Sequence, residues 1–467
     1  MQNVHRIFGA PGCGKTTRLM DILMQELRTN DPNKIAYVSF TRKGTYEGVE
    51  RAKALYKLDD GDLPFFRTLH SIAFRVGGFC KHDMISKNDY RIFSEAMGMK
   101  FSGYYTEELY SNDDKYLFMY FMKRNNPTTA ALYDGAIDGR IMRDVEYNYI
   151  KFKEFEKIHD YTDLIERFID CGEALPVDIA IIDEAQDLTS LQWRMCEVAF
   201  ANCKRIYIAG DDDQAIYEWA GADVNYFLKI KAQKDEILHQ SYRLQKTILQ
   251  KAKAISSMIS HRVDKQFEAL SDKGNVYLHN DLSTIELNND ESWYFLSRNN
   301  CYLSEYTSYL RQKACVFTSR DGLSYDKKHI DAINIFEQAR RVGKLSETDE
   351  LKLSLYLNRK VDLLYPWYLN LNFPNDKTAY YKDLIKYKTP LSTRNMVVST
   401  IHGVKGGEAD NVVVLLNITR AVKTNMDYNP DSELRCLYVA VTRAKKNLHI
   451  VFSTSTNGYD SYLRGII

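Results

Sequence analysis

The sequence predicts an α/β protein, and three observations carry that prediction. Apolar residues at 4–8 run into Gly9-Ala-Pro-Gly12-Cys-Gly14-Lys15-Thr16, and behind them Leu19, Leu23 and Leu27 recur at the spacing of a helical apolar face. A second run, Val177-Asp-Ile-Ala-Ile-Ile182, reads as a buried strand and ends in Asp183 and Glu184. A third, Arg205-Ile-Tyr-Ile-Ala-Gly210, is followed at once by Asp211, Asp212 and Asp213. Strands that alternate with helical stretches are the units of the α/β class.

At 467 residues the chain is roughly three times the ~150-residue domain size, so two to four compact units are expected. Hydrophobic residues at 45% and aromatics at 12% exclude long disorder. Lys+Arg 63 against Asp+Glu 62 gives no global field for nucleic acid or anionic membrane, so any polyanion must meet a local groove. The cysteines (Cys13, Cys80, Cys171, Cys196, Cys203, Cys301, Cys315 and Cys436) form no C-x-x-C pair, which speaks against a zinc site or a dense disulfide framework and for a reducing compartment. No apolar run approaches the length of a membrane span, and the opening residues do not read as a signal peptide.

The first motif has a physical logic. Small residues at Gly9, Gly12 and Gly14 let backbone N–H groups wrap a phosphate at a helix N-terminus, with Thr17 in the first helical turn. Lys15 supplies a point charge, and the Thr16 hydroxyl is suited to ligate Mg2+. The strand-end acids complete the site: Asp183 for the metal shell, Glu184 to orient and deprotonate an attacking water.

Downstream of Asp183-Glu-Ala-Gln-Asp187 comes Asp211-Asp-Asp-Gln214-Ala-Ile-Tyr217-Glu-Trp219-Ala220-Gly221. With these blocks the sequence resembles superfamily 1 DNA helicases of the UvrD/Rep/PcrA type. Five further blocks agree in order: Phe40-Thr41-Arg42-Lys43, Thr68-Leu-His70-Ser71, Gln240-Ser-Tyr242-Arg243-Leu244, Thr400-Ile-His402-Gly-Val-Lys405-Gly-Gly-Glu408, and Tyr438-Val-Ala-Val-Thr442-Arg443-Ala444. The resemblance implies two RecA-like P-loop NTPase domains of parallel sheets flanked by helices, each with a mostly helical insertion, and ATP with Mg2+ in the cleft between them. It implies that Gln214 senses the γ-phosphate, Tyr242 stacks on the base, Arg243 and Arg443 act as arginine fingers, and Glu408 meets the ribose. Lys15, Glu184, Gln214, Arg243 and Arg443 are then the catalytic set.

The same resemblance implies a track for single-stranded DNA. Phe40, Tyr217 and Trp219 would stack on bases, which is sequence-tolerant, and Thr41, Thr68, His70, Thr400 and His402 would hydrogen-bond to phosphates. The expected partners are single-stranded DNA and single-strand/duplex junctions, bound by a monomer in the cytoplasm of a prokaryotic or phage-infected cell. No membrane contact is expected, and no loading partner is legible.

The expected organisation is 1–75 and 176–232 as the first core domain, interrupted by a helical insertion at 76–175. Residues 233–304 and 394–467 form the second core domain, interrupted by a small insertion at 305–393. Within 311–395, 16 basic residues stand against 10 acidic ones, and Tyr380-Tyr-Lys382-Asp-Leu-Ile-Lys386-Tyr-Lys388 interleaves the two contact chemistries of a nucleic-acid surface. Three departures from the family pattern stand out. Only Gln2 occupies the region where an adenine-reading glutamine precedes the phosphate loop; Ala220 replaces an arginine and Arg42 an asparagine; and no recruitment tail follows Ile467. The expected function is ATP-dependent 3′-5′ DNA unwinding in replication, repair or recombination. A single-strand translocase that strips bound proteins and a P-loop regulatory switch remain as alternatives.

Overall fold

The computed structural model describes residues 3–39, 46, 49–50, 52–54, 59, 61–105, 107–132, 135, 137–357, 360–392, 395–463 and 465–466. Gln2, Phe40, Thr41, Arg42 and Lys43 therefore lie outside the described residues. The chain divides into two units: Met1–Asp272 with Asn425–Thr442, and Lys273–Thr424 with Arg443–Ile467.

The first unit is built on strands β1 (Val4–Gly9), β2 (Ile35–Ser39), β3 (Ile179–Asp183), β4 (Arg205–Gly210) and β5 (Lys234–Leu238). They lie in the order β2-β3-β4-β1-β5, and every pairing is parallel. The continuous apolar runs follow from burial on both faces. Ile179 and Ile181 enter one core with Leu19 and Leu23, while Ala180 and Ile182 enter the opposite one with Phe168 and Trp193. That alternation is the period of two that a strand imposes. Because β3, β4 and β1 are parallel neighbours, their carboxyl ends Asp183, Gly210 and Gly9 come to one edge of the sheet, where open α/β sheets bind ligands.

Residues 76–175 are largely helical, as the sequence predicts, but they divide between two cores. Helices Lys87–Met97, Asp114–Asn125 and Gly139–Glu156 surround a core of Tyr90, Phe93, Tyr120 and Tyr149. The helix Tyr161–Cys171 instead sends Leu164, Ile165 and Phe168 into the sheet's core, so the separate helical module ends before it. A second difference concerns the boundary drawn at 232/233. β5 hydrogen-bonds to β1 in the register His5↔Lys234 to Gly9↔Leu238, so this strand extends the first sheet. Its sequence, Lys-Asp-Glu-Ile-Leu, is that of an edge strand with one solvated side, which gives little apolar signal.

The second unit holds β6 (Asn275–His279), β7 (Trp293–Ser297), β8 (Thr318–Ser319), β9 (Gly322–Leu323), β10 (Met396–Thr400), β11 (Ala409–Leu415) and β12 (Ala444–Val451). The order is β6-β12-β11-β7-β10-β8-β9, parallel except for the β8–β9 hairpin. Helix Leu303–Gln312 packs Tyr306 and Leu310 against this sheet. Helices Lys327–Val342 and Asn375–Lys386 build a satellite core with Ile333, Phe336, Trp367 and Tyr381, inside the predicted 305–393 insertion. The α/β class with parallel sheets flanked by helices is thus the observed one. Among the described residues no helix is long and apolar enough to cross a membrane.

Candidate functional site

The loop after β1 is shaped by two glycines in the left-handed region, Gly12 at φ 71° and Gly14 at φ 83°, which a side chain would strain. A Cβ on Gly9 would lie 2.1 Å from the Cys13 sulfur, and one on Gly12 would lie 2.4 Å from the Arg243 Cβ. Gly14 caps the helix Lys15–Glu26, whose first N–H groups face the loop. Lys15 is buried and its Nζ donates to the carbonyls of Gly9 at 2.8 Å and Ala10 at 3.4 Å. Burial opposes its charge, but Cys13, Asp211, Glu184 and Asp183 outweigh that and hold the ammonium above the ordinary lysine range.

At the end of β3, Asp183 accepts from the Thr16 hydroxyl at 2.9 Å and the Tyr37 hydroxyl at 3.2 Å. Burial, reinforced by neighbouring Glu184, pushes its carboxyl up to about 6. Glu184 has φ 53°, a strained conformation for a non-glycine residue that turns the chain sharply after the strand. Its carboxylate accepts from Gln186 Nε2 at 2.6 Å. The same Gln186 side chain accepts the Asp211 N–H at 3.0 Å, and Asp211 in turn accepts Gln214 Nε2 at 2.7 Å. Glu184, Gln186, Asp211 and Gln214 are therefore one hydrogen-bonded chain across β3 and β4.

Residues 241–243 lie on the phosphate loop. The Ser241 hydroxyl donates to Pro11 O at 3.1 Å and the Tyr242 N–H to Gly12 O at 2.8 Å. Tyr242 keeps 67% of its surface exposed, so its ring is open to stack on a planar group, while Arg243 packs its Cβ toward Gly12. Thr17 and the Tyr242 ring each lie within 4 Å of the point a Gly14 Cβ would occupy.

In the second unit the predicted residues fall on opposite edges of the sheet. Thr400 ends β10, and His402 follows in a short 3-10 turn that Thr400 Oγ1 stabilises by accepting Gly403 N–H at 3.3 Å. Glu408 and Arg443 immediately precede β11 and β12, at the amino-terminal ends of those parallel strands. Glu408 is exposed, whereas Arg443 is buried and donates to Gly407 O at 3.1 Å. The carboxyl edge of this sheet thus carries the strand candidates and its amino edge the nucleotide candidates.

The remaining strand candidates belong to the first unit. Thr68 caps the helix Leu69–Val76 by accepting the Ser71 N–H at 3.3 Å, and His70 stands edge-on to Tyr161 at 5.8 Å. Both line a cavity of about 980 Å3 with Lys53, Arg67 and Ser71. Burial pushes the His70 imidazole down to about 4, so at neutral pH it is uncharged and offers a single N–H donor. Tyr217 and Trp219 stand 6.3 Å apart at 65°, three and five residues beyond Gln214. Phe40 and Thr41 lie outside the described residues.

Several groups in this network escaped the sequence reading. Gln186 lies inside a motif but its bridging role needs the β3–β4 pairing to be seen. Lys265 and Arg435 are buried cations on the acidic run 211–213 and on Glu218, and nothing in their local sequence marks them. Tyr161 begins a helix and reads as an ordinary aromatic until its ring meets His70.

The glycine loop at the carboxyl edge of a parallel sheet, beside a strand-end acid pair, makes this a P-loop protein of the α/β class. The UvrD/REP helicase N-terminal domain matches residues 1–235, and the UvrD-like helicase C-terminal domain matches 395–451. The chain belongs to the UvrD/REP helicase family. It is 21% identical over 341 residues to the ATP-dependent DNA helicase Rep of Buchnera aphidicola subsp. Baizongia pistaciae, covering 67% of this chain and 49% of that protein. It is 25% identical over 292 residues to the ATP-dependent DNA helicase PcrA of Leuconostoc citreum, covering 57% of this chain and 39% of that protein. The chain thus spans half or less of the length of these relatives. The Arterivirus helicase, nonstructural protein 10, aligns with 99% of this chain and 62% of its own at a TM-score of 0.38 and 11% identity, too distant to bear on the fold.

Proposed function

We propose that the protein is an ATP-dependent DNA helicase that translocates 3′ to 5′ on single-stranded DNA and unwinds duplex at single-strand/duplex junctions. The observation that carries this reading is the hydrogen-bonded chain from Glu184 through Gln186 and Asp211 to Gln214, three residues before Tyr217. It joins the group suited to activate water to the turn that leads into Tyr217 and Trp219, aromatics suited to stack on bases, and a motor that couples hydrolysis to movement requires such a connection.

In this reading the loop N–H groups and Lys15 bind the β- and γ-phosphates, Tyr242 stacks on the base, and Glu408 meets the ribose. Glu184 takes a proton as water attacks the γ-phosphorus, releasing ADP and phosphate. Arg243 and Arg443 stabilise the charge that develops on the transferred group, a contribution of about 10³ to 10⁵ in rate where such fingers act. A buried Asp183 with its carboxyl pushed up, next to the Thr16 hydroxyl and beside the half-buried Glu184, fits a divalent cation, which would neutralise its charge. Thr16 and Asp183 would hold Mg2+, and the ion supplies charge neutralisation on the phosphate oxygens. Tyr217, Trp219, Thr68, His70, Thr400 and His402, with Phe40 and Thr41, form the strand surface. A monomer acting in the cytoplasm belongs to the same reading.

A second reading, a translocase that strips proteins but opens duplex poorly, draws on Ala220, which is exposed where the family pattern has an arginine. Forked duplexes with a 3′ or a 5′ single-stranded tail decide the matter. The proposal expects ATP-dependent opening of the 3′-tailed fork alone; displacement of a bound protein without opening supports the second reading. Opening of only the 5′-tailed fork overturns the polarity.

A further inference from the structure

Beyond the phosphate loop, the first unit contains a buried charge cluster in which cations outside every motif block, Lys265 and Arg262, meet the three acids that precede Gln214. Lys265 has a side chain with no exposed surface, and its Nζ meets Asp211 Oδ1 at 3.0 Å, Asp213 Oδ2 at 3.1 Å and Asp212 Oδ1. Arg262 pairs with Asp213 through two 2.8 Å hydrogen bonds, and Val263 N–H donates to Asp212 at 2.8 Å. Segment 262–265 thus grips all three acids of the turn that carries Gln214. Arg435, from helix Pro430–Val441, holds the same turn through Asp212 O at 3.0 Å and the residue just before that segment through His261 O at 2.8 Å.

Charge placement makes Lys265 the central member. Three adjacent buried carboxylates repel one another, and a buried ion pair that loses one partner leaves an uncompensated charge. Asp211 uses one oxygen on Lys265 and the other, Oδ2, to accept Gln214 Nε2 at 2.7 Å. The orientation of the Gln214 amide therefore depends on a carboxylate that Lys265 keeps in place. The helix Lys246–Ser256 connects this lysine to Tyr242 and Arg243, which lie against the phosphate loop.

We propose that Lys265 is a positioning residue for hydrolysis: through Asp211 it sets the Gln214 side chain, and it ties that setting to the chain segment that carries Tyr242 and Arg243. This inference rests on the assignment of Gln214 to the nucleotide site. A misplacement of that kind can cost about a hundred-fold in rate.

The test is a double-mutant cycle on DNA-stimulated hydrolysis, with affinity for a non-hydrolysable ATP analogue measured alongside. Lys265→Met should lower kcat about a hundred-fold and change analogue affinity less than about three-fold. In a Gln214→Ala background the same substitution should have no further effect, because both act through one side chain. Unchanged kcat in folded Lys265→Met, or losses that multiply in the double variant, would overturn the proposal. Should Lys265→Met fail to fold, Asp211→Asn replaces it in the cycle, being isosteric and leaving Lys265 two carboxylates. If the wild-type protein shows no DNA-stimulated hydrolysis, the helicase reading itself fails, which is a distinct result.

Discussion

The Thr16 hydroxyl donates to Asp183 across 167 residues of sequence, at 2.9 Å, and so joins the end of the phosphate loop to the end of β3. The pair is the one proposed to hold a divalent cation, and Asp183 is the costly member of it. Its carboxyl titrates near 6 in the folded chain rather than near the ordinary 3.8, because burial and Glu184 disfavour the charged form. The ionised state therefore reduces folding stability, on the order of a few kcal/mol, as pH rises from about 4 to 6, and that cost persists above 6. Asp183→Asn should raise the melting temperature of the nucleotide-free protein at pH 8 by a few degrees, leave it unchanged at pH 4, and abolish Mg2+-dependent hydrolysis. Thermal melts at the two pH values check the first part and phosphate release the second.

Lys15→Ala removes the only side-chain cation that lies within the phosphate loop. Hydrolysis should fall by about a hundred-fold or more, with weaker nucleotide binding, since a preorganised charge at the transferring group is lost. Circular dichroism should show a folded protein. Near-normal turnover would remove Lys15 from the site.

Glu184→Gln keeps the shape of the side chain and removes its basicity. A loss of about 10² to 10⁴ in kcat is expected, with ATP affinity retained. Rapid-quench hydrolysis alongside equilibrium binding of a fluorescent ATP analogue separates the two quantities. Full turnover would assign the base elsewhere.

Trp219 and Ala220 test the proposed strand surface from opposite directions. Trp219→Ala should weaken single-stranded DNA binding by about 1 to 3 kcal/mol, the value of one stacked base. Ala220→Arg adds a cation at an exposed turn position, so binding should tighten and the slope of log affinity against log salt should steepen by about 0.7. Titrations over a salt series read both. No change in either variant would move the strand away from this turn.

Much of the candidate nucleotide site is legible in the sequence because its chemistry is local. Gly12, Gly14, Lys15 and Thr16 are contiguous, and Asp183 and Glu184 end a strand whose apolar run is plain. The motif singles out Tyr242 and Arg243 as candidates, but their seat on the phosphate loop is not legible in it, since that depends on the Ser241 and Tyr242 contacts to Pro11 and Gly12. Lys265 gave no signal: a lysine in a polar stretch reads as a solvated charge until the fold encloses it between three aspartates. β5 was hidden for the converse reason, because an edge strand with exposed Lys234 and Asp235 lacks the pattern of a buried one. Polar edges and long-range ion pairs are tertiary facts, and sequence periodicity does not encode them.

Two imidazoles predict the acid limb of stability. Burial pushes His70 down to about 4, and burial together with His279 pushes His449 to about 4, both below the ordinary 6.5. A depressed histidine stabilises the fold above 6.5 and loses that contribution as pH falls toward 4. The melting temperature should drop between pH 6.5 and 4.5, because two such groups outweigh the opposite trend of Asp183. His449→Phe should flatten the drop, and an unaltered pH slope in that variant would contradict the assignment.

The central claim is that nucleotide hydrolysis answers to a strand, and ATP hydrolysis with and without single-stranded DNA across a salt series tests it most directly. Strong stimulation that weakens steeply with salt and vanishes in Glu184→Gln is the predicted result. Hydrolysis indifferent to DNA at every salt concentration would contradict it and leave a P-loop switch as the better description.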